Sequence, residues 1–138
     1  MDKKLAFEKL NDLIINSSSK YYHYPVAAIL ECNNGLLFSG VNIETSSPQA
    51  GICAERCAIF YAIANGVKKD DFKRIYILNK TGNIITPCYI CRQALNDYCN
   101  LDLEIISFNI NGESKYYLLK DLLVDSFEEG SLKWKVVL

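Results

Sequence analysis

The chain has 138 residues, half of them hydrophobic and 22% charged, a balance that excludes a disordered chain and suits one folded domain over 1–138. A formal net charge of −1 and a pI near 5.8, with no Lys/Arg cluster, argue against a nucleic-acid partner and favour a small ligand. No stretch approaches the ~20 apolar residues that span a bilayer, and the charged opening MDKKLAFEKLNDLI has no signal-peptide core, so a cytoplasmic protein with no membrane partner is expected.

Leu5, Ala6, Lys9, Leu10, Leu13 and Ile14 recur at helical spacing and predict an amphipathic helix over residues 3–16, stopped by Asn16-Ser17-Ser18-Ser19. Residues 25–30 (PVAAIL) and 36–42 (LLFSGVN) predict two strands around Asn34-Gly35, a dipeptide that accepts the positive φ angles of a hairpin turn. Residues 44–51 (ETSSPQAG) form a loop. The alanines, with Ile59, Phe60 and Ile63, predict a largely buried helix over 53–65, capped at its end by Gly66. Residues 74–79 (RIYILN) are a third strand, and Pro87 opens a helix over 88–99. Residues 103–109 (LEIISFN) and 115–118 supply two more strands, the second after Asn111-Gly112, before a short helical stretch at 119–123. The tail 126–138 is ambiguous; in it Trp134 reads as a packing residue. Strands alternating with helices predict an α/β layered sheet, and the leading hairpin makes that sheet mixed.

The six cysteines are Cys32, Cys53, Cys57, Cys88, Cys91 and Cys99. In a reducing compartment they point to metal or chemistry before disulfides. Two segments stand out: Cys53-Ala54-Glu55-Arg56 and Pro87-Cys88-Tyr89-Ile90-Cys91-Arg92-Gln93. A lone CxxC can be redox-active, structural or accidental. A third cysteine opening another helix, with a glutamate two residues on, predicts a three-ligand catalytic zinc site that keeps one position for water. Cys53 and Cys88 both open helices, where free N–H groups and the positive end of the dipole favour thiolates. Arg56 and Arg92 are expected to donate to the sulfurs and offset their charge. The bland alternative is three buried, unreactive thiols. Cys32, Cys57 and Cys99 read as core or surface thiols, and the only histidine, His23, has no evident partner.

Along roughly residues 20–132 the sequence resembles the small homotetrameric cytidine deaminases. That resemblance implies a three-layer α/β/α fold with a mixed five-stranded sheet, Zn2+ held by Cys53, Cys88 and Cys91, and Glu55 as the proton shuttle of a zinc-activated water. It implies hydrolytic deamination of a free pyrimidine nucleoside, cytidine or 2′-deoxycytidine, in pyrimidine salvage. Alternation puts Asn42 and Glu44 on one face of a strand, and by the resemblance they would hold the ribose hydroxyls; Ala54 would touch the base through its backbone, and Tyr24 stands where the family has a phenylalanine against the pyrimidine. Phe127 matches an aromatic that reaches a neighbouring subunit's site. This chain departs from the pattern at Tyr89-Ile90 between the paired cysteines, at Thr45-Ser46-Ser47-Pro48-Gln49, at Val124 and at Ala27.

Three rival readings share part of this pattern. A blasticidin-S-type deaminase shares the zinc motif, but its family pattern lacks the Asn-x-Glu pair and the arginine after the catalytic glutamate, present here as Asn42/Glu44 and Arg56. A polynucleotide editor flips a base into a similar pocket, yet it commonly has histidine in place of Cys53 and needs positive charge for the strand. A structural zinc module would want a fourth ligand, and none is evident.

Overall fold

The computed structural model describes residues 1–132, so Trp134 lies outside the described residues. Helix α1 (Lys3–Ile14) starts at Asp2, whose side chain accepts the Leu5 N–H at 2.8 Å. It buries Ala6, Leu10 and Ile14; Leu5 is exposed instead, and Phe7 takes its place by packing on Phe108 with ring centroids 5.5 Å apart. Strands β1 (Val26–Cys32) and β2 (Leu37–Val41) form the hairpin, with Gly35 at φ 88° in its turn. Helix α2 (Ala54–Ala64) runs from Cys53 to Asn65, and Gly66 beyond it takes φ 86°. Strand β3 (Phe72–Asn79), helix α3 (Tyr89–Tyr98), strand β4 (Glu104–Phe108) and strand β5 (Ser114–Leu118) follow, and a 3-10 turn spans Leu119–Leu122. Pro87 is not the first helical residue of α3: Cys88 is the N-cap and Pro87 lies one position outside it.

The sheet order is β2-β1-β3-β4-β5, with β3 and β4 parallel and every other pair antiparallel. Every residue of β1 is buried because the strand is covered on both faces. Ala27 and Ile29 of β1 join Tyr76 and Leu78 of β3 beneath α1. Ala28, Leu30, Ile75 and Ile77 face the opposite way, against Ala58, Ile59 and Ala62 of α2 and Leu95 of α3. The molecule is therefore a three-layer α/β/α sandwich around a mixed five-stranded sheet. One contact fixes the site helix on this frame: a Cβ added to Gly40 of β2 would collide with Ala54 O and Ala58 N, so the α2 backbone rests directly on the strand.

Candidate active site

Helices α2 and α3 bring their N-termini together beyond the carboxyl end of β3, each with a cysteine as N-cap. Cys53 Sγ lies 3.8 Å from Cys88 Sγ, and the sulfurs of Cys53, Cys88 and Cys91 all fall within 4.8 Å of one another. A tetrahedral ion with Zn–S bonds of ~2.3 Å separates its sulfurs by about 3.8 Å, so this donor set fits zinc in both type and spacing. Cys57, one turn further along α2, stays outside the cluster, while Cys32 and Cys99 are buried in the core.

The electrostatics favour a cation. The hydrogen bond from Cys91, opposed by burial and helped by Arg56 and Cys88, lowers the Cys53 pKa to about 5. Cys91 is pushed far up by the same bond and by burial, so the thiols share protons that a metal ion would replace. Arg56 Nη2 donates to Cys53 Sγ at 3.6 Å, while its buried Nε finds no acceptor among the described residues. Arg92 departs from expectation. It reaches no sulfur and donates instead to Pro87 O, Thr86 Oγ1 and Leu122 O, because the entry loop of α3 offers oxygens closer to its fork.

Glu55 sits in the first turn of α2, 4% exposed, with Oε2 3.7 Å from Cys91 Sγ. Burial raises its pKa to about 7, and negative charge on Cys53 pushes the same way. It lies beside the metal cluster without joining it, in the wall of a cavity of about 320 Å3.

That cavity is also lined by Tyr24, Asn42, Glu44, Cys53, Ala54 and Cys88, so every residue expected there except Phe127 and the two distal groups, Arg56 and Cys91, opens on it. Asn42 and Glu44 lie beyond the end of β2 rather than on one strand face. Both side chains brace the wall: Asn42 Oδ1 accepts Val26 N–H at 2.8 Å and its amide donates to Tyr24 O at 2.7 Å, while Glu44 accepts N–H bonds from Tyr21, Tyr22 and Tyr24. Those backbone bonds hold the exposed Glu44 carboxyl below its usual range, despite an opposing desolvation. Phe127 lies apart, half exposed over a separate depression with Tyr89 and Arg92. Sequence reasoning missed Tyr22, Val26, Ile85 and Thr86, which complete the lining. Thr86 was signalled by its place directly before Pro87-Cys88, and Tyr22 by the run Tyr21-Tyr22-His23-Tyr24.

A model of the cytidine and deoxycytidylate deaminase zinc-binding region matches residues 1–103. The chain belongs to this family. It is a zinc-dependent deaminase of the cytidine deaminase family, a hydrolase. A cytidine deaminase from Sporosarcina psychrophila is 32% identical over 114 residues, 83% of this chain and 82% of the relative. The crystal structure of a cytidine deaminase from Burkholderia pseudomallei is 31% identical and covers 92% of this chain and 100% of its own, with a TM-score of 0.87. A blasticidin-S deaminase from Bacillus cereus is 29% identical over 114 residues, 77% of this chain and 76% of that one. Among the described residues no helix is long and apolar enough to cross a membrane.

Proposed function

We propose that this deaminase converts cytidine and 2′-deoxycytidine to the corresponding uridines and ammonia, in cytoplasmic pyrimidine salvage, with Glu55 as the proton shuttle. One observation carries the reading. A buried carboxyl 3.7 Å from a thiol of the Cys53/Cys88/Cys91 cluster opens on a cavity of nucleoside size, about 320 Å3, which Asn42 and Glu44 also line. Zinc held by Cys53, Cys88 and Cys91 supplies Lewis-acid activation of a water when bound. Glu55 takes a proton from that water as it adds to C4 of the pyrimidine, and delivers it to N3. Glu55 then takes the proton of the new C4 hydroxyl and gives it to the amino group; the C4–N bond breaks as the C4 carbonyl forms, and ammonia leaves. In the metal-free site burial raises the Glu55 pKa to about 7, and a bound cation would favour the carboxylate, the form that accepts the proton of the water.

In this reading Tyr24 packs on the base, the Ala54 backbone meets it, and Asn42 with Glu44 receives the sugar hydroxyls, supported by the fact that all four line the cavity. Arg56 offsets thiolate charge. Assembly into a homotetramer, with Phe127 completing a neighbour's site, is supported by α2: it is apolar on nearly every side, yet Phe60 and Tyr61 stand exposed on it.

An absorbance assay with cytidine, deoxycytidine, cytosine and blasticidin S side by side tests the substrate. Turnover of both nucleosides, with cytosine poor for want of the sugar contacts, is the expected result. Cytosine turned over as well as cytidine removes the role of Asn42 and Glu44. Blasticidin S preferred over cytidine replaces the substrate.

A further inference from the structure

Cys88 is the least restrained member of the metal cluster. Cys91 is buried within α3 and Cys53 receives Arg56, whereas Cys88 is exposed and its side chain makes no capping bond to the helix. Its position depends on the loop that delivers it. That loop is gripped by Arg92, four residues on, whose own N–H donates to Cys88 O at 2.9 Å.

The Arg92 fork closes on three oxygens: Nε on Pro87 O at 2.7 Å, Nη2 on Thr86 Oγ1 at 2.7 Å, and Nη1 on Leu122 O at 3.0 Å. The Tyr89 ring lies under it, with the guanidinium carbon 4.6 Å from the centroid. Among the described residues no carboxylate pairs with it. Each of its three nitrogens thus donates to an oxygen of the fold, two of them in the entry to Cys88, and none to a carboxylate among the described residues. Two further donors on the same helix extend the grip, since Gln93 Nε2 and Asn96 Nδ2 donate to Phe127 O at 3.0 and 3.4 Å. Helix α3 therefore pins the segment from Leu122 to Phe127 with the same residue that shapes the entry to Cys88.

We propose that Arg92 is a positioning residue, a clamp that sets Cys88 relative to Cys53 and Cys91 and fixes Thr86 in the wall of the substrate cavity. The inference rests on Cys88 being a metal ligand. A planar fork is required: a lysine ammonium carries the charge but cannot meet three divergent oxygens in one plane. Residues that orient metal ligands from behind typically contribute 10–100-fold to metal affinity.

The test is zinc affinity by equilibrium competition with a coloured chelator, for wild type, Arg92→Gln, Arg92→Lys and Leu10→Ala. Both Arg92 variants should bind zinc about 10–100-fold more weakly, and lysine should fail to rescue. Leu10→Ala, in α1 on the opposite face of the sheet, should lower Tm and leave zinc affinity unchanged. Thr86→Val removes one acceptor with little change of volume. It should shift affinity in the same direction as the Arg92 variants, should those fail to fold. Wild-type zinc affinity in the folded Arg92 variants, or equal loss in Leu10→Ala, overturns the positioning role. Wild-type protein that binds no zinc at all overturns the ligand reading, and the clamp with it.

Discussion

Glu55 combines a first-turn position on α2 with near-complete burial, and the two pull in opposite directions: the helix N-terminus favours its anion, and burial opposes it. Burial prevails, and the pKa rises to about 7. The sign of the linkage follows. Between the ordinary carboxylate range and pH 7 the unfolded chain has released this proton while the folded chain keeps it, so Glu55 costs stability as pH rises through that window. In metal-free, reduced protein, Glu55→Gln should match wild type near pH 4.5, gain on it as pH rises to about 7, and hold a constant advantage above that. Chemical denaturation at several pH values reads this directly, and a variant less stable than wild type at pH 8 would contradict it. At this scale the sequence was legible where chemistry is carried by residue type and spacing. Cys53, Cys88, Cys91 and Glu55 meet as their motifs imply. It was illegible where an oxygen acceptor had to be known in space, and so Arg92 was assigned to sulfurs it does not touch.

At the scale of elements, the site depends on two helix N-termini held at a fixed separation. The α2 terminus is set by Gly40, where strand and helix backbones touch. Gly40→Ala must push α2 outward, since backbone atoms rather than flexible side chains meet the new methyl. Overpacking of this kind costs about 1–3 kcal/mol, which corresponds to a Tm drop of at least several degrees, and the displaced Cys53 should weaken zinc binding as well. Thermal unfolding with metal analysis checks both, and an unchanged Tm would show that the contact is slack. Among the described residues, a 3.6-residue stripe located α1, apolar composition α2 and Pro87 the start of α3, while strand composition and the Asn-Gly turns located the five strands. What they could not locate was where strand β2 ends. Asn42 and Glu44 read as alternate residues of one strand, but their side chains leave the ladder to brace Tyr24, Val26 and the backbone of residues 21–24. Tertiary hydrogen bonds decided that boundary.

For the molecule as a whole, β1 and the Ile75–Asn79 part of β3 form a floor buried on both faces, and the loops leaving β2 and β3 deliver the two halves of the site to one edge of it. The layered fold was legible because alternating elements with one hairpin leave few topologies. The full cavity lining was not, since Tyr22, Val26, Ile85 and Thr86 come from separate stretches that only the sheet order brings together. The central claim divides labour between ligands and a proton shuttle, and it is tested most directly by measuring zinc content and cytidine turnover together in wild type, Glu55→Gln and Cys88→Ala. Wild type should carry about one zinc per chain, and Glu55→Gln should keep that zinc while kcat falls at least ~100-fold. Cys88→Ala should lose metal and activity together. Full activity in Glu55→Gln, or loss of its zinc alongside that of Cys88→Ala, would contradict the account.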